Sequence, residues 1–155
     1  MTTTTSPPSS TAIREAIAAV DDPELPGVSI VELGLLEELS VDSSGDVDVG
    51  LIPTFTGCPA LSLIGDDVRR AVEAVPGVRS ARVSFLTAPT WTVDRVSPAA
   101  RSRLRDDLGV AVESEGAAEC PRCGGTTRVQ SMFGPTRCRA VHICTACAET
   151  VEVMR

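Results

Sequence analysis

Most of the chemistry open to this 155-residue chain rests on six cysteines, four of which stand in two tight pairs, Cys120-Pro-Arg-Cys123 and Cys144-Thr-Ala-Cys147. A Cys-x-x-Cys turn aims two thiolates at one ion, and a second such turn completes a tetrahedron around it. Twenty residues lie between Cys123 and Cys144, about the span between the halves of a four-cysteine zinc site. Small residues stand where the backbone must bend back: Gly124-Gly125 after the first pair, Ala146 and Ala148 around the second. Two disulfides of a secreted protein are the disfavoured alternative, because such pairs in a chain of intracellular character more often hold metal or cycle redox state. Neither pair follows a strand and opens a long helix, as a thioredoxin-like motif would. The expectation is a structural zinc ion on Cys120, Cys123, Cys144 and Cys147.

A fifth cysteine stands alone in Thr54-Phe-Thr-Gly-Cys58-Pro59. Proline suits the first position of a helix, where its missing N–H is no loss. Cys58 would then be the N-cap, where free N–H groups and the helix dipole favour a thiolate. Such a thiolate can ligate iron, attack an electrophile or exchange disulfides. A buried cysteine acting as a small hydrophobe is an equally weighted alternative. The sixth, Cys138, follows a Phe133-Gly-Pro turn six residues before Cys144. It is read as a spare thiol near the metal, an alternative ligand or a buried side chain, with a nearby non-ligand favoured. His142, between Val141 and Ile143, reads as a packing or surface residue rather than a ligand.

The elements that must position these thiols follow from periodicity. Residues 11–20 place Ile13 with Ile17 and Ala16 with Val20, and Pro23 forbids continuation, so a short amphipathic helix is expected. Residues 22–27 read as a turn, and 28–34 as either a strand or a helical turn. Residues 35–52 read as a hairpin about Asp42-Ser-Ser-Gly45, with Val47, Val49 and Leu51 alternating with polar residues or glycine. Leu61, Ile64, Val68, Val72 and Val75 predict a helix from Pro59 to Pro76-Gly77, followed by a strand over 78–86 and another over 90–94. A last helix spans 98–108, with Ser97 as cap and Gly109 as stop. The fold class expected is α+β: a small two-layer α/β domain with a mixed sheet, followed by a four-cysteine zinc ribbon. The divisions expected are a disordered tail over 1–10, the α+β domain over 11–111, a linker over 112–118 and the ribbon over 119–155. A ribbon this short has too little core to stand alone, and metal would supply the deficit.

Charge and composition narrow the functions. Residues 1–116 carry nine Arg against eighteen acidic residues, and residues 117–155 carry five Arg against three. That balance disfavours a nucleic-acid partner, which requires a basic stripe. The Thr/Ser/Pro-rich start lacks the basic and apolar regions of a secretory signal, and no apolar run approaches a membrane span, so a soluble, cytoplasmic protein is expected. With His142 as the only histidine, the chain lacks the Glu-x-x-His pairs of a carboxylate di-iron centre. All fourteen basic residues are Arg, which is read as genome bias without functional weight.

Asp22-Pro23-Glu24, Ser29-Ile-Val-Glu-Leu-Gly34 and Thr54-x-x-x-Cys58-Pro59 together resemble the domain of iron-sulfur assembly factors of the SufT and cytosolic targeting-complex type. The resemblance covers about residues 10–95 and implies iron-sulfur handling at Cys58, Thr54, Asp22 and Glu24, with Thr54 supporting the loop that presents the cysteine. Adding Cys120-Pro-Arg-Cys123, Phe133-Gly-Pro-Thr-Arg-Cys138 and Cys144-x-x-Cys147 extends the likeness over nearly the whole chain, to the PaaD family of the phenylacetyl-CoA epoxidase system. His142-Ile143 stands where that family often has an aromatic residue. The resemblance implies a non-catalytic maturation factor: Cys58 transiently handles a cluster or iron, while the ribbon docks on the oxygenase or reductase component. A homodimer is compatible with it. A rubredoxin-like electron carrier and a general iron-sulfur assembly factor are the alternative functions.

Overall fold

A computed structural model describes residues 7–155. The expected tail falls mostly on 1–6, outside the described residues. By compactness the described residues form two units, one built from residues 7–53 and 59–90, the other from 54–58 and 91–155.

The first unit opens with α1 (Ser10–Ala18), whose Ile13 and Ile17 are fully buried. Burying each stabilises the fold by about 1.5–3 kcal/mol. The turn expected over 22–27 is confined to Pro23 and Glu24, which join β1 (Asp21–Asp22) and β2 (Leu25–Ser29) in a small hairpin. The ambiguity at 28–34 resolves into both alternatives in succession. Val28 and Ser29 finish β2, and a single helical turn follows, in which the amides of Leu33, Gly34 and Leu35 bond to the carbonyls of Ser29, Val31 and Ile30. Ser29 and Glu32 cap it reciprocally: each backbone N–H donates to the other's side chain at 3.2 Å. Ile30, Leu33 and Leu35 are thereby held in the core.

The predicted hairpin forms as β3 (Leu36–Val41) and β4 (Asp46–Leu51), antiparallel. After α2 (Leu61–Glu73), β5 (Ser80–Phe85) pairs with β4 in parallel, so the three-stranded sheet is mixed. Ile64, Val68 and Val72 are the buried residues of α2, which packs on β5 and α1 and makes the second layer.

In the second unit, residues expected as a strand at 90–94 run instead into a 3-10 turn, Val93–Arg95. Arg101 accounts for that, since its guanidinium donates to the carbonyls of Val93 and Val96 and turns them away from any ladder. Helix α3 (Pro98–Leu108) starts where expected, with Ser97 Oγ accepting from Ala100 N at 3.1 Å, and stops at a left-handed Gly109. Residues 110–112, at the margin of the expected linker, form β6 (Val110–Val112), because Val110 and Ala111 are buried. The sheet order is β6-β9-β8-β7, with β7 (Thr127–Ser131), β8 (Arg139–Cys144) and β9 (Thr150–Met154) antiparallel and β6 parallel to β9. Its core is made of small side chains, Ala111, Ala118, Val151 and Val153, against Cys120 and Cys144. No helix among the described residues is long and apolar enough to cross a membrane.

Candidate metal centre and the Cys58 loop

Two backbone turns of the same construction present the knuckle thiols. In the first, Cys120 N donates to Gly125 O and Gly124 N to Cys120 O; in the second, Cys144 N donates to Glu149 O and Ala148 N to Cys144 O. The bonds thus run between residues with the same offsets in both. The residue four places after the leading cysteine is left-handed in each, Gly124 at φ 71° and Ala148 at φ 60°. Gly125 is required for a different reason: a Cβ there would lie 2.9 Å from Ala146 Cβ and 3.2 Å from the sulfurs of Cys123 and Cys144.

The four sulfurs all lie within 4.8 Å of one another. Cys123 Sγ is 3.5 Å from those of Cys144 and Cys147, and Cys120 Sγ is 3.8 Å from that of Cys147. A tetrahedron with sulfurs about 2.3 Å from a central ion has edges of about 3.8 Å, so the donor set fits one ion of zinc or iron size. Cys120 and Cys144 are buried, while Cys123 and Cys147 form the outer side. The Cys144 thiol is pulled down to about 6, first by the backbone N–H of Cys147 and then by that of Ala146. Cys123 is pushed up to about 12: the Gly125 amide pulls it down, but hydrogen bonds shared with Cys144 and Cys147 outweigh it and hold the proton. Without an ion Cys144 therefore releases its proton readily while Cys123 holds its own, as expected of neighbouring sulfurs that share protons until a cation neutralises them. Arg122 adds positive charge beside them while pairing with Glu149 at 2.6 Å.

Neither of the other two C-terminal candidates belongs to this group. His142 is buried, and its Nδ1 lies 2.9 Å from Thr127 Oγ1. Burial pushes its pKa below the ordinary histidine range. Cys138, expected near the metal, precedes the six-residue strand that ends at Cys144. An extended strand of that length puts the two about 20 Å apart. Its thiol instead lies 3.2 Å from Thr136 Oγ1.

The Cys58 loop differs from expectation at the helix start. The N-cap of α2 is Ala60, whose carbonyl accepts from Ile64 N at 2.9 Å. Cys58 stands two residues earlier, because its own N–H donates to Phe55 O at 3.2 Å and closes a separate turn ahead of the helix. The thiol is therefore presented by a turn of its own ahead of the helix cap, and it is half-buried, as is Thr54 at the head of the loop. Asp22 and Glu24 fall in the first unit, where Asp22 Oδ1 accepts from Glu24 N at 2.8 Å and shapes the turn between β1 and β2. A feature not read from the sequence ties the loop to the rest of the second unit: the Arg137 guanidinium sits over the Phe55 ring, 5.5 Å from its centre. The Phe133-Gly-Pro-Thr-Arg-Cys138 segment was the available signal, although nothing in it points to Phe55.

Comparison with known proteins finds two family models along the chain. The family model described as iron-sulfur cluster assembly protein matches residues 10–85, and the PaaD zinc beta ribbon domain matches residues 105–155. An Escherichia coli protein provisionally named as one of the subunits of 1,2-phenylacetyl-CoA epoxidase is 30% identical over 98% of this chain and 96% of its own length. An iron-sulfur protein maturation auxiliary factor of Bacillus subtilis is 37% identical over 59% of this chain and 89% of its own. Among solved structures, a domain of unknown function from Bacillus anthracis aligns with a TM-score of 0.57 at 33% identity, covering 61% of this chain and 89% of that one. The chain therefore belongs to the PaaD family, in which an iron-sulfur assembly domain is joined to a metal-binding ribbon.

Proposed function

We infer that this chain is a cytoplasmic, non-catalytic accessory factor of a multicomponent phenylacetyl-CoA epoxidase. In this reading it assists delivery of an iron-sulfur cluster or iron to the oxygenase or reductase component. The observation that carries it is the separation of thiol roles. Four cysteines converge on one another as a closed donor set for one ion, while Cys58 remains half-exposed in a loop of its own. The named relatives, an epoxidase component and an iron-sulfur maturation factor, support the same assignment. Cys58 is the cargo ligand, Thr54 heads the loop that presents it, and Asp22 and Glu24 shape the motif turn of the first unit. The cargo is a substrate that is passed on, so a single accessible thiolate suits it better than a closed four-sulfur cage.

Cys58→Ser tests this directly. The variant should keep its circular dichroism and bound metal, yet largely lose its ability to support epoxidase activity in cells lacking the natural copy. Full support by the variant would end the proposed role. The ribbon ion is proposed to be zinc. The same sulfur edges also fit a single iron, which would favour a rubredoxin-like electron carrier. Aerobically purified protein should therefore be colourless with about one zinc per chain, and visible sulfur-to-ferric absorption would favour the carrier.

A further inference from the structure

Within the second unit, a half-open cleft of about 590 Å³ is lined by Phe55, Met132, Phe133, Arg137, Cys138 and Arg155, with no acidic side chain in its wall. Phe133 is 83% exposed and Met132 45% exposed, although both are large apolar groups. Among the described residues, neither Arg137 nor Arg155 has a carboxylate partner, whereas Arg122 and Arg139 in the same unit are paired with Glu149 and Glu152. Both free guanidinium groups are held in place. Arg137 is stacked over Phe55, and Arg155 donates one N–H to the Met132 carbonyl at 3.3 Å, leaving further donors for a ligand.

We propose that this cleft is the docking site for an acidic segment of a partner protein that carries an apolar side chain beside its carboxylates. The occupant follows from complementarity. Two fixed, unpaired guanidinium groups select carboxylates, which they can grip in bidentate fashion. An outward-facing phenylalanine and methionine select an apolar anchor, and buried aromatic and Arg contacts of this kind dominate interface energetics. A nucleic acid would need a continuous basic stripe along its phosphates, whereas the cleft offers two guanidinium groups beside apolar side chains. The proposal rests on the reading that the chain serves a partner protein, and it names the surface used; it does not require Cys58 to carry cargo.

The test uses the full-length, metal-loaded protein with arginine labelled for NMR. It is titrated with a capped probe peptide, Glu-Asp-Leu-Glu-Phe-Asp-Glu, and with the neutral counterpart in which Gln and Asn replace Glu and Asp. The side-chain N–H signals of Arg137 and Arg155 should move with the acidic peptide and stay put with the neutral one. Because each lost charge-assisted bond is worth about tenfold or more in affinity, the combined Arg137→Gln and Arg155→Gln variant should bind at least about tenfold more weakly. Phe133→Ala should bind severalfold more weakly. Unchanged metal content in each variant reports that the ribbon is folded. Four results overturn the proposal: no shift with the acidic peptide, equal binding of the neutral peptide, unaltered binding by the double variant, or shifts produced by inorganic phosphate alone. The cargo reading fails separately, since Cys58→Ser should bind the probe normally whether or not it supports maturation.

Discussion

Each of the two units is held together by different means. In the first, a continuous set of aliphatic side chains, including Ile13, Ile17, Ile30, Leu33, Leu51, Ile52 and Ile64, is almost completely buried beneath two helices and a mixed sheet. In the second, Trp91, Leu104 and Met154 are buried as well, but the cluster packed against the knuckles is filled by alanine, valine and cysteine. Side chains this small remove little apolar area from water, so burial alone is a weak source of stability there. The difference teaches that cysteine takes over in the ribbon the part that isoleucine and leucine play in the first unit. It also explains how one chain can commit four thiols to structure while leaving another accessible.

Removing the metal is the strongest way to break that comparison. Structural zinc binds small ribbons with an apparent free energy on the order of 10–16 kcal/mol near neutral pH, and that binding is folding free energy. Chelation of the full chain should therefore abolish the dispersed amide signals of β8 and β9 and leave those of β4 and β5 in place. Persistence of the ribbon signals in metal-free protein would mean that its small core suffices, and the contrast between the units would fall.

A narrower change asks whether the backbone around the sulfurs matters as much as the sulfurs themselves. Gly125 lies outside the left-handed region, so alanine there is opposed by packing alone, against Ala146 and two ligand sulfurs. Overpacking of this kind costs about 1–3 kcal/mol. Gly125→Ala should thus weaken metal binding by about 10- to 100-fold in competition with a chromophoric chelator. An unchanged affinity would show that the knuckles yield easily and that the fit of the turn is unimportant.

The units also differ in how much of each is legible in the sequence. Where local chemistry decides the backbone, pattern and structure agree: Ser97 caps α3, Gly109 ends it, and the alternation of Val47, Val49 and Leu51 gives a strand in the expected hairpin. The four metal ligands are legible for the same reason, because each pair is a self-contained turn. Pattern and structure part where a distant group intervenes. Arg101 bends the segment expected as a strand at 90–94, and the turn from Phe55 to Cys58 delays α2 to Leu61 despite Pro59. Cys138 is expected near the metal only if sequence separation is taken for spatial nearness, while the intervening residues are extended. The cleft is illegible altogether, since it is built from residues near 55, 133 and 155, whose meeting no local pattern encodes.

The smallest effect separates the two knuckles from each other. They share the same backbone hydrogen bonds, yet the left-handed residue is Gly124 in one and Ala148 in the other. An L-residue in that conformation costs about 1–2 kcal/mol relative to glycine. A Cβ at Gly124 would meet no atom within 4 Å, so Gly124→Ala should lose about that much through conformation alone. The reverse change, Ala148→Gly, relieves the strain but adds unfolded-chain entropy of about 0.5–1 kcal/mol. Its net effect should lie within about 1 kcal/mol of zero, so that metal affinity stays within roughly fivefold of the natural chain. If Ala148→Gly instead weakened binding as much as Gly125→Ala, the Ala148 methyl would be a packing element of the second knuckle, and the two turns would be alike in hydrogen bonding but not in what holds them.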